Sequence, residues 1–326
     1  MMNVRLNRAI TATMAICALA ACSQNTSMQA VPAGAPAFPA RARFAAVSRA
    51  ADNVTHLFAA QYDFVSIFDG NGNQTGEIDV PQAGGLAVDA NANLWVTDST
   101  KYRVWIYPPP YTQPSTSIDD TNGHPNAVAV DTHPGPMKGY FAIFSRPTTG
   151  GYNSMSLYSA GSTRPCKTLG GRFVAAGING TFDGGGNLIV FGDGKPVAIW
   201  RGGCSAPAIE KLYSQSGTLA GPAAAAAGPN GTIAILDQEY SNGFTGTLFG
   251  FDKPVKAHFG QPVVSMSLAA NQLPQGFAFT QNGNDVWISN YDGNVMEYAY
   301  PSGSVLVTLP QAFWSGAIAV APPFVP

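Results

Sequence analysis

Charge is scarce in this chain. Asp and Glu number 19, Lys and Arg 17, and together they are only 11% of 326 residues. A helical cytosolic domain usually carries more charge on its outer faces, so the composition argues for an extracytoplasmic all-β domain. The near balance of signs leaves no basic patch, which argues against nucleic-acid binding. Histidine is scarce as well. His56, His124, His133 and His258 are the only four, and no two stand at metal-ligand spacing. His133 falls in the turn Asp131-Thr-His-Pro-Gly-Pro136 and should be exposed, while His258 reads as part of an outer strand. There is no Gly-x-Ser-x-Gly elbow. The run Asp183-Gly-Gly-Gly-Asn187 leads into a strand and not a helix, so it is a hairpin and not a phosphate cradle.

Glycine (36), proline (25) and apolar residues (45%) are plentiful, which suits many short strands joined by tight turns. One pattern recurs. Leu86 to Asp89 is a small apolar strand, Asp89 to Asn93 a polar turn, and Leu94 to Thr97 a second apolar strand. Asn and Asp suit such a turn because they tolerate positive φ and hydrogen-bond their own backbone. Counterparts of Asp89 stand at Asp131, Asp183, Gly228, Thr280 and Ala321, in steps of about 41 to 52 residues. That period, with four strands per unit, marks a β-propeller blade. The first strand of each unit is poor in bulky side chains, as crowding around an axis requires.

Third strands are predicted near Tyr102–Tyr107, Ser154–Tyr158, Pro196–Trp200, Gly246–Phe251 and Gly293–Tyr298. Residues 54 to 80 supply three strands and lack an inner one. The segment Ala317 to Val320 supplies one and has nothing after it. The expected fold is therefore an all-β, six-bladed β-propeller over residues 53–326, closed by pairing the C-terminal strand with the N-terminal blade. Closure should leave no large exposed sheet edge.

The motif from Gly85 to Asp98 resembles the core of NHL-type repeats. Pro274 to Phe279 with Asp285 to Tyr298 resembles the gluconolactonase/regucalcin-like six-bladed propellers. The second resemblance implies a divalent cation held by an acidic residue at the head of a first strand, two Asn residues and an Asp in a Pro-Asp-Gly turn. The matching turn here is Pro274-Gln275-Gly276, and glutamine lacks the charge a hard cation prefers. Asn126 matches one Asn ligand. Asp193 and Asp237 complete a weak candidate set for a cation such as calcium near the axis. Most of the implied metal set is missing.

Residues 1–21 read as a bacterial export signal. Arg5 and Arg8 precede the apolar run Ile10 to Ala21, which is too short to span a membrane. Leu19-Ala20-Ala21-Cys22 resembles a lipobox, making Cys22 the expected lipidation site. Ser23 after it favours the outer membrane by analogy with proteobacterial sorting. Loss of the signal takes the formal charge from −2 to about −4. Residues 22–52, rich in Ala and Pro, read as a tether. In an oxidising envelope the two cysteines left over, Cys166 and Cys204, suggest a disulfide. Against it, both follow third strands of consecutive blades, and such rim positions often exceed the roughly 7 Å Cα limit.

Ligand sites on propellers gather where second-to-third and fourth-to-first connections meet around the axis. The second-strand ends there are Gln61, Asp98, Ser145, Asp193, Asp237 and Asn290, with Arg146, Glu239, Tyr240 and Tyr291 close by. The fourth-to-first loops add His124, Asn126, Gln275 and Trp314. One reading is a polar, mildly acidic funnel; the other is that each Asp or Asn accepts N–H bonds within its own turn. The larger loops, Ser145 to Asn153 and Asp237 to Thr247, are the expected seats of specificity. The expected function is a monomeric, lipid-anchored binding or scaffold module for an envelope protein or glycan. The alternative is a lactonase-like hydrolase or lyase with an altered metal site.

Overall fold

A computed structural model describes residues 56–325, apart from 149–152, 171–176, 184, 193–194, 202, 205–207, 212–218, 240–244, 254–257, 270–272 and 311–315. The signal, Cys22 and the tether lie outside the described residues.

Among the described residues, twenty-four strands form six four-stranded antiparallel sheets. The chain starts with β1 (His56–Ala60), β2 (Phe64–Asp69) and β3 (Gln74–Asp79). The second blade is β4 (Ala83–Val88), β5 (Leu94–Asp98), β6 (Arg103–Tyr107) and β7 (Thr116–Asp119). The third is β8 (His124–Val130), β9 (Phe141–Arg146), β10 (Ser154–Tyr158) and β11 (Lys167–Leu169). The fourth is β12 (Gly177–Phe182), β13 (Leu188–Gly192), β14 (Lys195–Arg201) and β15 (Ala208–Lys211). Then come β16 (Pro222–Ala227), β17 (Ile233–Glu239), β18 (Thr245–Phe251) and β19 (Val264–Ser267). The sixth blade is β20 (Pro274–Phe279), β21 (Asp285–Asn290), β22 (Asn294–Ala299) and β23 (Ser304–Pro310). The last strand, β24 (Ile318–Ala321), pairs antiparallel with β1, His56 facing Ala321 and Ala59 facing Ile318. The first blade is thus β24-β1-β2-β3, and the ring closes through it.

Inner strands touch one another in a closed circuit: β4 with β8, β8 with β12, then β16, β20, β24 and back to β4. Small residues make this approach feasible. A Cβ on Gly85 would stand 2.5 Å from the Cα of Ala127, so the β4–β8 junction admits only glycine there.

Among the described residues the core is six clusters, each shared by two neighbouring blades. Phe58 and Val65 pack with Leu94 and Val96 between the first and second blades. Trp95 and Val104 turn the other way, onto Phe141 and Ile143 of the third. Leu57 and Ala59 join Trp287 and Val295 of the sixth blade. Successive residues of one strand therefore feed different cores, as a period of two on a sheet buried on both faces demands. This explains why the second strands, such as Leu94–Asp98, are buried throughout.

Four local expectations are corrected. Asn or Asp was to adopt positive φ in the Asp89–Asn93 turn; Ala92 does so instead, at 62°. The side chains of Asp89 and Asn93 hold the turn, through the Asn91 and Asn93 N–H groups on Asp89 Oδ1 (both 2.9 Å) and Asn93 Nδ2 on Oδ2. His258 is an isolated bridge residue, ahead of the outer strand that starts at Val264. His124, Asn126 and Gln275 lie in the inner strands β8 and β20, because pairing reaches back to His124↔Arg146 and Pro274↔Asn290. Finally, closure pairs the inner strand β24 with the second strand β1 and covers no outer edge. The outermost strands keep a free edge, and β23 exposes Val305 and Leu306 along its own.

Cys166 and Cys204 are joined in a disulfide with Cα atoms 5.6 Å apart. The rim positions come within reach because Gly203, at φ 55°, turns the chain toward the third blade.

Candidate functional site

On the funnel face, second-strand ends are occupied by structural work. Asp98 is buried, and its Oδ1 accepts the Thr100 and Lys101 N–H groups and the Thr100 hydroxyl. Its Oδ2 accepts the Trp105 indole N–H at 3.0 Å. Asp237 is buried and accepts the Ala220 and Gly221 N–H groups at 2.8 to 3.1 Å. Repulsion between carboxylates around one axis is thus relieved locally, by donors from each turn.

Other side chains of this face lace one blade to the next. The Ser99 hydroxyl donates to Pro125 O at 2.7 Å, and His124 Nδ1 lies 2.8 Å from Ser99 O. Gln238 Nε2 donates to Pro274 O, and Ser289 Oγ to Gly316 O. The exposed ring of Tyr102 rests on His124, centroids 4.6 Å apart.

Asp120, just after β7, was not among the residues predicted for the site. It is buried between the second and third blades, where the Ser145 hydroxyl donates to Oδ2 and the Asn122 N–H to Oδ1. Burial raises its pKa; the Ser145 and Asn122 donors and the nearby His124 offset only part of that. Burial, helped by the Asp120 charge, also raises the Tyr158 hydroxyl. Asn122 Nδ2 continues the network to Ser156 Oγ at 2.8 Å. The run Asp119-Asp-Thr-Asn-Gly123 carries a turn signal, but nothing local announces its partner 25 residues on.

Asn290 differs from its counterparts. It ends β21 fully buried, and neither Oδ1 nor Nδ2 has a hydrogen-bond partner. Tyr291 beside it is 43% exposed, and Arg146 at the end of β9 is exposed. Asp193 and Tyr240, like Trp314, lie outside the described residues. Glu239 closes β17 opposite Thr245, so the β17–β18 loop is shorter than the sequence suggested. Of the metal candidates, Asn126 is half-buried in β8 and Asp237 is taken up by the Ala220 and Gly221 N–H groups; Gln275, in place of the missing Asp, donates its amide to Leu273 O at 3.4 Å. Among the described residues no three His, Cys, Asp or Glu side chains gather to hold an ion.

On the opposite face His133 is 5% exposed, contrary to the sequence expectation. Its ring folds back on Asp131, Nδ1 to Oδ1 at 2.6 Å, and the same oxygen accepts the His133 N–H at 3.0 Å.

The fold and both faces define a six-bladed β-propeller. Solved structures of that shape share little sequence with it. A chain from the crystal structure of a nidogen/laminin complex matches with a TM-score of 0.59 and 14% identity, covering 82% of this chain and 98% of that one. A chain of Kuenenia stuttgartiensis hydrazine synthase matches with a TM-score of 0.54 and 13% identity, over 82% and 87%. No family model and no curated protein matches the chain.

Proposed function

We propose that the chain is a lipid-anchored propeller of the bacterial cell envelope, of NHL or gluconolactonase-like type, and that its funnel face binds a protein or glycan partner. The export signal and Cys22 lipobox support the anchor, the Ala/Pro-rich tether support reach, and the polar composition of the face supports recognition. The observation that carries the reading is Asn290. A buried carboxamide with no partner costs about 1–3 kcal/mol per orphaned group, yet this one stands at the funnel end of β21 next to an exposed tyrosine. A ligand group reaching past Tyr291 to the end of β21 would supply both its donor and its acceptor.

The triple change of Asp98, Asp193 and Asp237 is a poor test, because two of those carboxylates hold turns. Arg146→Glu with Tyr291→Ala alters exposed side chains only. Immobilised wild-type protein is expected to retain envelope glycans or a discrete envelope protein, and the double variant to lose most of that capture. Undiminished capture would refute the funnel as the binding face. Cys22→Ala should move the protein from the membrane to the soluble fraction; retention in the membrane would refute the anchor. Among the described residues no observation favours the lactonase-like alternative.

A further inference from the structure

The loop between β8 and β9 is held rigidly. Asp131 N–H donates to Tyr140 O, Gly139 N–H to Asp131 O, and Tyr140 N–H to Met137 O. Inside it, His133 is buried and its Nδ1 is fixed on Asp131. A carboxylate accepts, so Nδ1 carries a proton toward Asp131, which leaves Nε2 as the ring nitrogen whose lone pair a metal can take. Nε2 is buried and has no hydrogen-bond partner. His133 lines a pocket of about 210 Å³ with Asp131, Pro134, Gly135, Pro136, Met137, Gly185 and Gly186. Gly186, at φ 75°, keeps the pocket open: a Cβ there would stand 2.9 Å from Met137 Cβ and Cγ. The pocket lies between the third and fourth blades, on the face opposite the funnel.

From these positions we infer that His133 Nε2 and the Met137 thioether form a site for a soft monovalent transition ion, Cu(I). A carboxylate on the far nitrogen is the usual support of a metal-binding histidine, fixing its tautomer and raising its basicity. Imidazole and thioether select Cu(I) among cellular ions. Two donors suffice for Cu(I), whereas structural zinc takes four. The Met137 sulfur lies beside Gly203, and three rotatable bonds let it turn over the pocket.

The test is titration of untagged protein with Cu(I) in excess ascorbate against a chromogenic Cu(I) chelator. The wild type should take one equivalent with a submicromolar Kd. Met137→Leu, a half-buried and volume-conserving change, should keep the fold by circular dichroism and weaken binding at least tenfold. His133→Gln should abolish binding, and Asp131→Asn should weaken it about 10–100-fold. X-ray absorption of the loaded wild type should show one nitrogen and one sulfur ligand, which keeps the test decisive if His133→Gln does not fold. No binding by the wild type, unchanged affinity in Met137→Leu, or a copper without sulfur would overturn the assignment. So would tighter binding of Zn(II) than of Cu(I) at the same histidine.

Discussion

The two faces of the ring use the same residue types for different ends. On the face of the first-to-second and third-to-fourth turns, Asp69, Asp89 and Asp183 each close their own hairpin. Each accepts N–H groups two and four residues on, and an Asn side chain donates back. On the funnel face Asp98 likewise serves its own turn, but further bonds span 25 to 36 residues and join neighbouring blades. Local hairpins on one side shape each blade, while the other side ties blades together. The first kind can be lost with damage confined to one turn. Loss of the second loosens a junction.

Pairs of measurements can break or sharpen this contrast. The largest effect belongs to the Cys166–Cys204 bridge, the one covalent tie on the hairpin face. It closes a 38-residue separation, and Cys204→Ser should cost about 3–4 kcal/mol by loop entropy, read as a shift in urea midpoint. Alkylation after reduction, but not before, should add mass at both cysteines.

Next comes Asp98→Ala, which removes a buried carboxylate, strands the Trp105 indole and frees the Thr100 and Lys101 N–H groups. Its cost should be about 3 kcal/mol, against about 1 kcal/mol for Asp69→Ala, whose exposed turn holds no indole. Equal costs would show that burial does not set the two turns apart.

The smallest effect is on pH dependence, and it has opposite signs on the two faces. Asp120 has a raised pKa, so folding binds protons between its unfolded value near 3.8 and its higher folded value. Its contribution to stability falls as pH rises through that window. Asp120→Asn should therefore gain on the wild type as pH is raised from about 4 toward neutral. Asp69 is partly desolvated, but the Asn73 and Asn71 donors outweigh this and lower its pKa. Its contribution is present above about 3.8 and lost on acidification below that. Thermal melts of both Asn variants at a series of pH values would show the two slopes.

This contrast also explains what could be read from the chain. Spacings such as Asp89–Asn93 carry both partners within five residues, so turns, strands and blade count were legible. Ring closure was legible because His56–Ala60 lacks an inner neighbour and Ile318–Ala321 lacks an outer one. Ser145 on Asp120, Gln238 on Pro274 and Ser289 on Gly316 depend on which blades touch, and no local pattern encodes that. His133 was misread for the same reason. Proline and glycine on either side signal exposure, but Asp131 draws the ring inward and the next blade covers it. Asn290 was legible as a strand end, and only packing reveals that its amide is left over.

Pairing β24 with β1 has a temporal side. His56 and Ala321 are about 265 residues apart, so β1 must wait for β24 before its inner neighbour is in place. Until then the two apolar faces that carry Leu57 and Phe58 are half-built, and contacts of such long range form slowly. The chain is thus most exposed to aggregation in the interval before its final segment arrives, and a helper that shields its early strands would act there.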